Sequence, residues 1–316
     1  TVVASQSKKY HWRHDDGAYA LDNLAKDAAS YSTRCPISHR VMPDFLKKDR
    51  RKFPEDIKAR VQRSLEILVH GNTKSGKHSL IMLGEQELRY LIKIASQIAD
   101  AYLPFSYEDL SLEESEIKRR KKALVEAEKE VIAKYEKNFS AFREAVQLPA
   151  GINGAMFGRM VTSDREASIS SAISVSPLIS VHAQEIENNY MTALDDLAPR
   201  EAAHIQNTEI HSAIFYGFTV IDTNQLVENV GGDEKLARDM IYNTMHLIAE
   251  NKEGANKSRT APFTRAQTMF ASMTDQMPFS LAEGYRDPVQ PQLRDAMDRM
   301  DAHLGQLDNN YGVHDD

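Results

Sequence analysis

Apolar residues return at helical spacing through several stretches of this chain and at every second position through others, which divides it into helical and strand-like parts. Residues 111–146 carry Leu124, Ala127, Val131, Tyr135 and Phe139 as one stripe in a highly charged run, which predicts a long amphipathic helix. A second helix is predicted after Pro54, where Ile57, Val61, Leu65 and Ile67-Leu68 recur before His70-Gly71-Asn72 ends the pattern. Residues 83–102, 233–250 and 290–307 read in the same way. Ser5-Gln6-Ser7 followed by Lys8 to His14 predicts a short helix with a serine at its N-cap, because no breaker intervenes before Gly17.

From Gly151 onward the period changes. Ile169 to Val181 alternates β-formers with serines, which predicts a strand, and Gln184-Glu185-Ile186-Glu187-Asn188-Asn189 then breaks into polar residues expected neither to pack nor to alternate. A second strand is predicted from Ile210 to Ile221. The segment between them reads as an exposed excursion flanked by Gly158-Arg159-Met160 and by Tyr190-Met191-Thr192-Ala193-Leu194-Asp195-Asp196-Leu197, and long excursions from a sheet tend to carry function. The order of elements implies an α+β fold in which a largely helical region separates a short basic start from a mixed remainder.

Charge and composition narrow this picture. The 316 residues have a net charge of −7, but residues 1–60 hold thirteen Lys/Arg against eight Asp/Glu, a net of +5 that leaves −12 for the rest. The positive charge lies in Lys8, Lys9 and Arg13 and again in Lys47, Lys48, Arg50, Arg51 and Lys52, runs that ordinarily form solvated surface. A single cysteine, Cys35, excludes a disulfide framework or a cysteine-rich zinc site and fits a reducing compartment, the cytoplasm. The longest apolar run, residues 213–221, is far shorter than the roughly 20 residues that span a bilayer. No membrane association and no export are expected.

Three motifs resemble chemistry without its context. Gly71 to Lys77 has phosphate-loop spacing, but His78 stands where a hydroxyl would hold Mg²⁺, and the segment follows a helix where the motif needs a strand. His14-Asp15 lacks a second histidine cluster. Asp195-Asp196 reads as a turn or cap, since adjacent carboxylates diverge by about 100° on a helix and by more on a strand. No catalytic, metal or cofactor site is expected.

A binding surface is expected at the first helix. Gln6, Lys9 and Arg13 share one face, and Ser5 with the free N–H groups stands at its start, so the face offers donors suited to phosphate oxygens. The chain also resembles a known family through Ser5-Gln6-Ser7-Lys8-Lys9 with Trp12-Arg13, Gly158-Arg159-Met160, residues 192–197, and Leu226-Val227-Glu228-Asn229-Val230-Gly231-Gly232. Glu209 to Tyr216 and Gln276-Met277-Pro278-Phe279-Ser280 agree as well. It is similar to the backbone subunits of CRISPR Cascade complexes, more narrowly the CasC type of type I-E systems.

That resemblance implies an RRM/ferredoxin-like palm (residues 1–33 and 150–316), inserted helical fingers (34–149) and a β-hairpin thumb (181–206), with the family's first palm strand missing ahead of the first helix. It implies a non-catalytic protein that polymerises along crRNA and displaces a nucleotide at regular intervals, leaving the others to pair with target DNA. The implied partners are crRNA, target DNA, further copies of the chain and other Cascade subunits in a prokaryotic cytoplasm. The implied RNA contacts are Ser5, Gln6, Lys9 and Arg13 on the backbone, Arg159 and Met160 at the distorted nucleotide, Met191 and Thr192 at the thumb base, and Lys257 and Arg259. Two other readings remain open from the residues alone: a nucleotide-binding hydrolase using segment 71–78, and a helical interaction module.

Overall fold

The stripe on residues 111–146 is where the core begins. In the computed structural model, which describes residues 2–25, 32–71, 80–108, 112–145, 150–160, 168–183, 186–194, 202–251, 261 and 263–312, the chain divides into two compact units. One comprises His11–Ile173 and Ile221–Gln267, and the other Thr1–Tyr10, Ser174–Val220 and Thr268–Asp316.

The first of these units is built on four helices, α2 (Ile37–Asp49), α3 (Glu55–His70), α4 (Glu85–Tyr102) and α5 (Glu114–Ala145). Their apolar faces form one continuous core between Ile37 and Phe139, with Val61, Leu65, Leu91, Ile98, Tyr102 and Leu124 fully enclosed. Each such side chain contributes about 1.5–3 kcal/mol by leaving water. Glu128, at a buried position of α5, is met by Arg60 and Arg63 of α3, which compensates a carboxylate on an apolar face. Helix α2 was not expected: Ile37, Val41, Met42 and Phe45 are buried, but Pro43 interrupts the pattern and its basic end reads as surface. Two short strands, β2 (Ser32–Cys35) and β3 (Ile81–Gly84), pair antiparallel, so residues 81–84 are strand and the predicted helix begins only at Glu85. Helices α6 (Gly151–Phe157), α7 (Thr223–Asn229) and α8 (Glu234–Ala249) complete this unit, with Asp222 and Asp233 capping α7 and α8 by accepting from Gln225 N and Leu236 N.

The other unit holds most of the remaining strands; the short antiparallel pair Glu250–Asn251 and Thr264–Arg265 belongs to the first. Val2–Val3, expected to lie outside any strand, form β1 and pair antiparallel with β5 (Leu178–Ser180), which also pairs with β8 (Phe215–Tyr216), giving the order β1-β5-β8. The predicted strand 169–181 is broken at Ser176-Pro177 into β4 (Ile173–Val175) and β5, and β4 pairs with β9 (Thr219–Ile221). Ser176 secures the break, donating its N–H to Phe218 O at 2.8 Å while its hydroxyl accepts from Phe218 N at 2.9 Å.

The excursion is a hairpin. β6 (Ile186–Leu194) and β7 (Ala202–His211) pair over nine positions, so Ile186 to Asn189, expected to lie outside any strand, begin one. A backbone ladder needs no apolar side chains, and Asn207 adds a cross-strand bond to Asn188 at 3.4 Å. Helix α9 (Leu293–Tyr311) ends this unit and packs on the turn Leu281–Tyr285, whose Tyr285 hydroxyl donates to Ala296 O at 2.8 Å. Among the described residues no helix is long and apolar enough to cross a membrane.

Candidate nucleic-acid interface

The first helix, α1 (Ser5–Arg13), contains no acidic residue. At 3.6 residues per turn, Ser5, Lys9, Arg13 and Gln6 fall within about 100° of arc, as the spacing predicts. Gln6 is exposed and Ser5, Lys9 and Arg13 are half-buried. Trp12 is 5% exposed and packs inward; at the same spacing it lies beside Ser5, so exposure grows around the arc towards Gln6. Lys8 is also buried, so the basic run is not uniformly surface: its neighbour Lys9 is half-buried and shares the arc with Gln6, and Lys8 does not. The helix starts at Ser5 itself, whose hydroxyl donates to the Gln6 amide oxygen at 3.4 Å.

The Gly158-Arg159-Met160 turn is built as a rigid base under one projecting side chain. Gly158 ends α6 at φ 74 and ψ 166, with its N–H on Gly154 O at 2.9 Å. A Cβ there would stand 2.8–3.0 Å from main-chain atoms of Ile169 and Ser171, so only glycine allows the two segments to approach. Arg159 and Ile169 exchange both backbone hydrogen bonds, at 2.9 and 2.8 Å. The Arg159 side chain turns inward: its Nη1 donates to Glu87 Oε2 at 2.5 Å and to Met82 O at 3.3 Å, with the two charged side chains 2% and 0% exposed. A guanidinium in that position cannot grip a solvent-borne phosphate, which corrects the expectation of an RNA contact from the Arg159 side chain. Met160, the next residue, is 86% exposed.

Met191 and Thr192 lie side by side on β6, opposite Gln206 and Ile205 of β7, just before a register shift at Ala193/Leu194. Ile186 and Tyr190 of the same strand are 56% and 64% exposed. Met160 and the hairpin belong to different units. Lys257, Arg259, residues 72–78 and Asp195-Asp196 lie outside the described residues. Among the described residues no group of three or more His, Cys, Asp or Glu could hold a metal ion.

The residue that sequence reading missed is Glu87. It stands one helical turn before Leu91 on the face that continues through Ile94, Ala95, Ile98 and Tyr102, all buried. A carboxylate at a core position of an amphipathic helix is a signal in itself, since it requires a cation within reach. Its partner lies 72 residues away.

The family model for CT1975-like protein matches residues 1–316. Among solved structures, a chain of a pre-nicking CRISPR RNA-guided surveillance complex matches with a TM-score of 0.66 and 18% identity, covering 98% of this chain and 80% of that one. A second chain, from a CRISPR RNA-guided surveillance complex, matches with a TM-score of 0.44 and 19% identity over 50% of this chain and 63% of its own. The first likeness is one of fold. No curated protein matches.

Proposed function

The chain belongs to the CT1975-like protein family, and on that premise we propose that it is a non-catalytic backbone subunit holding the guide RNA of a type I CRISPR surveillance complex. The observation that carries this reading is the acid-free helix α1, with Ser5, Gln6, Lys9 and Arg13 on one arc beside a buried Trp12. Cations and amide or hydroxyl donors arranged this way contact phosphate and sugar without reading bases, and sequence is then left to pairing between guide and target.

In this reading residues 34–149 are the fingers, the segments 1–33 and 150–316 supply an RRM-like palm, and hairpin β6–β7, whose strands are 186–194 and 202–211 against the 181–206 expected, is the thumb. Copies line up along one RNA. The thumb of one copy, through Met191 and Thr192, and Met160 of the next meet at a nucleotide that is turned out of the stack, and the intervening bases pair with target DNA. An unbranched thioether suits that wedge because it adapts to an irregular surface. Lys257 and Arg259 add backbone contacts. Other subunits of the complex complete the assembly in the prokaryotic cytoplasm.

Lys9→Ala/Arg13→Ala tests this directly. The double variant removes two phosphate contacts per copy, so the slope of log Kobs against log salt concentration for single-stranded RNA becomes shallower by about 1.4. An unchanged slope, or an RNA-free wild-type preparation that hydrolyses ATP and loses that activity in Lys77→Ala, overturns the proposal.

A further inference from the structure

The buried pair Glu87–Arg159 joins two parts of one unit that the sequence keeps far apart. Glu87 stands in the first turn of α4, whose next residues Leu88 and Leu91 are enclosed in the helical core. Arg159 reaches it from the Gly158-Arg159-Met160 turn and also donates to the carbonyl of Met82 in β3. Three constraints therefore act on one residue: the Gly158 backbone before it, the paired hydrogen bonds to Ile169 on its main chain, and the Nη1 hydrogen bonds of its side chain. Successive side chains of an extended segment point to opposite faces, so a residue held inward at 159 directs the residue at 160 outward. Met160 is 86% exposed.

Stability alone does not account for this arrangement. Taking both charges out of water offsets most of their mutual attraction, and apolar residues of similar volume commonly replace such a pair without loss of stability. A guanidinium whose Nη1 donates to both Glu87 Oε2 and Met82 O is held at two acceptors and so supplies what an apolar pair lacks, a fixed direction. Resting on the RNA-binding reading above, we infer that Glu87 is a positioning residue for Met160: through Arg159 it sets the direction in which the methionine meets the displaced nucleotide.

The test uses the full chain on single-stranded RNA carrying one 2-aminopurine, walked position by position, whose fluorescence rises where the base leaves the stack. Glu87→Met/Arg159→Leu replaces the pair with apolar side chains. It should keep the wild-type melting temperature and RNA affinity yet lose the periodic fluorescence maxima, down to the level of Met160→Ala. Arg159→Lys keeps the charge but not the planar guanidinium or its reach to both acceptors, and should blunt the maxima even if the apolar pair does not fold. If Met160→Ala erases the maxima while Arg159→Lys and the apolar pair both retain them at wild-type height, the positioning role is wrong and the RNA-binding reading stands. If Met160→Ala itself leaves the maxima intact, the reading beneath fails first.

Discussion

Replacing Gly158 with alanine separates two costs that are usually confounded. At φ 74 and ψ 166 the backbone is in a region open essentially to glycine, and a side chain there costs about 1–3 kcal/mol. The new Cβ would also stand 2.8 Å from Ile169 O, 2.9 Å from Ser171 N and 3.0 Å from Ser171 Cα. These are main-chain atoms that cannot rotate aside, so the segment 169–171 must shift, at a further cost of about 1–3 kcal/mol. The shift acts on the paired hydrogen bonds between Arg159 and Ile169. Gly232 is the control: its φ is 86, but a Cβ there meets nothing within 4 Å, so Gly232→Ala carries only the backbone strain, about 1–2 kcal/mol.

Both glycines and Trp12, the chain's one tryptophan, lie in the same compact unit. Urea unfolding followed by tryptophan emission therefore reads the relevant transition. Gly158→Ala should lose about 2–6 kcal/mol and exceed Gly232→Ala by more than about 1 kcal/mol, with m unchanged in both. Equal losses in the two variants would refute the claim that close approach of 158 to 169–171 requires glycine.

Two further outcomes follow from hydrogen-bonded titratable groups. Hydrogen bonds from Arg51, working against burial and aided by Ser96, hold the Asp49 carboxyl at about 2, below its ordinary 3.8. The resulting stability is complete above about pH 4 and is lost as pH falls through 2, so Asp49→Asn should differ most from wild type at pH 6 and least at pH 2 in thermal melts. Burial pushes the Tyr102 phenol up to about 12, opposed by its 2.7 Å hydrogen bond with Ser64. Its contribution is present below pH 10 and lost as pH rises through 12, a step that Tyr102→Phe should abolish. Because Ser64 also donates to Arg60 O at 3.0 Å, that variant should lose only about 0.5–1.5 kcal/mol near neutrality, and adding Ser64→Ala should change little more.

The long helices were legible because their burial is periodic and local: the stripe Leu124, Val131, Tyr135 and Phe139 of α5 is the stripe read from the chain. Helix α2 was hidden by Pro43, which leaves Ile37, Val41, Met42 and Phe45 buried while breaking the pattern that announces them. Strand β6 was partly hidden for the opposite reason. Ile186-Glu187-Asn188-Asn189 are strand by virtue of the partner 20 or so residues on, and cross-strand pairing overrides local preference. At the candidate site, the α1 arc followed from spacing alone, and Met160 is exposed. The inward turn of Arg159 did not follow, since the carboxylate that draws it in is 72 residues distant.

Hairpin β6–β7 is a two-stranded ribbon, and among the described residues no third strand pairs with either of its outer edges. Open edges of this kind are templates for sticking to other chains, yet Glu187, Asn188, Asn189, Asn207 and Glu209 are exposed along them. The charges of Glu187 and Glu209 disfavour the approach of a second strand to those edges. The same charged strands that obscured the hairpin in the sequence thus guard its open edges against pairing with another chain.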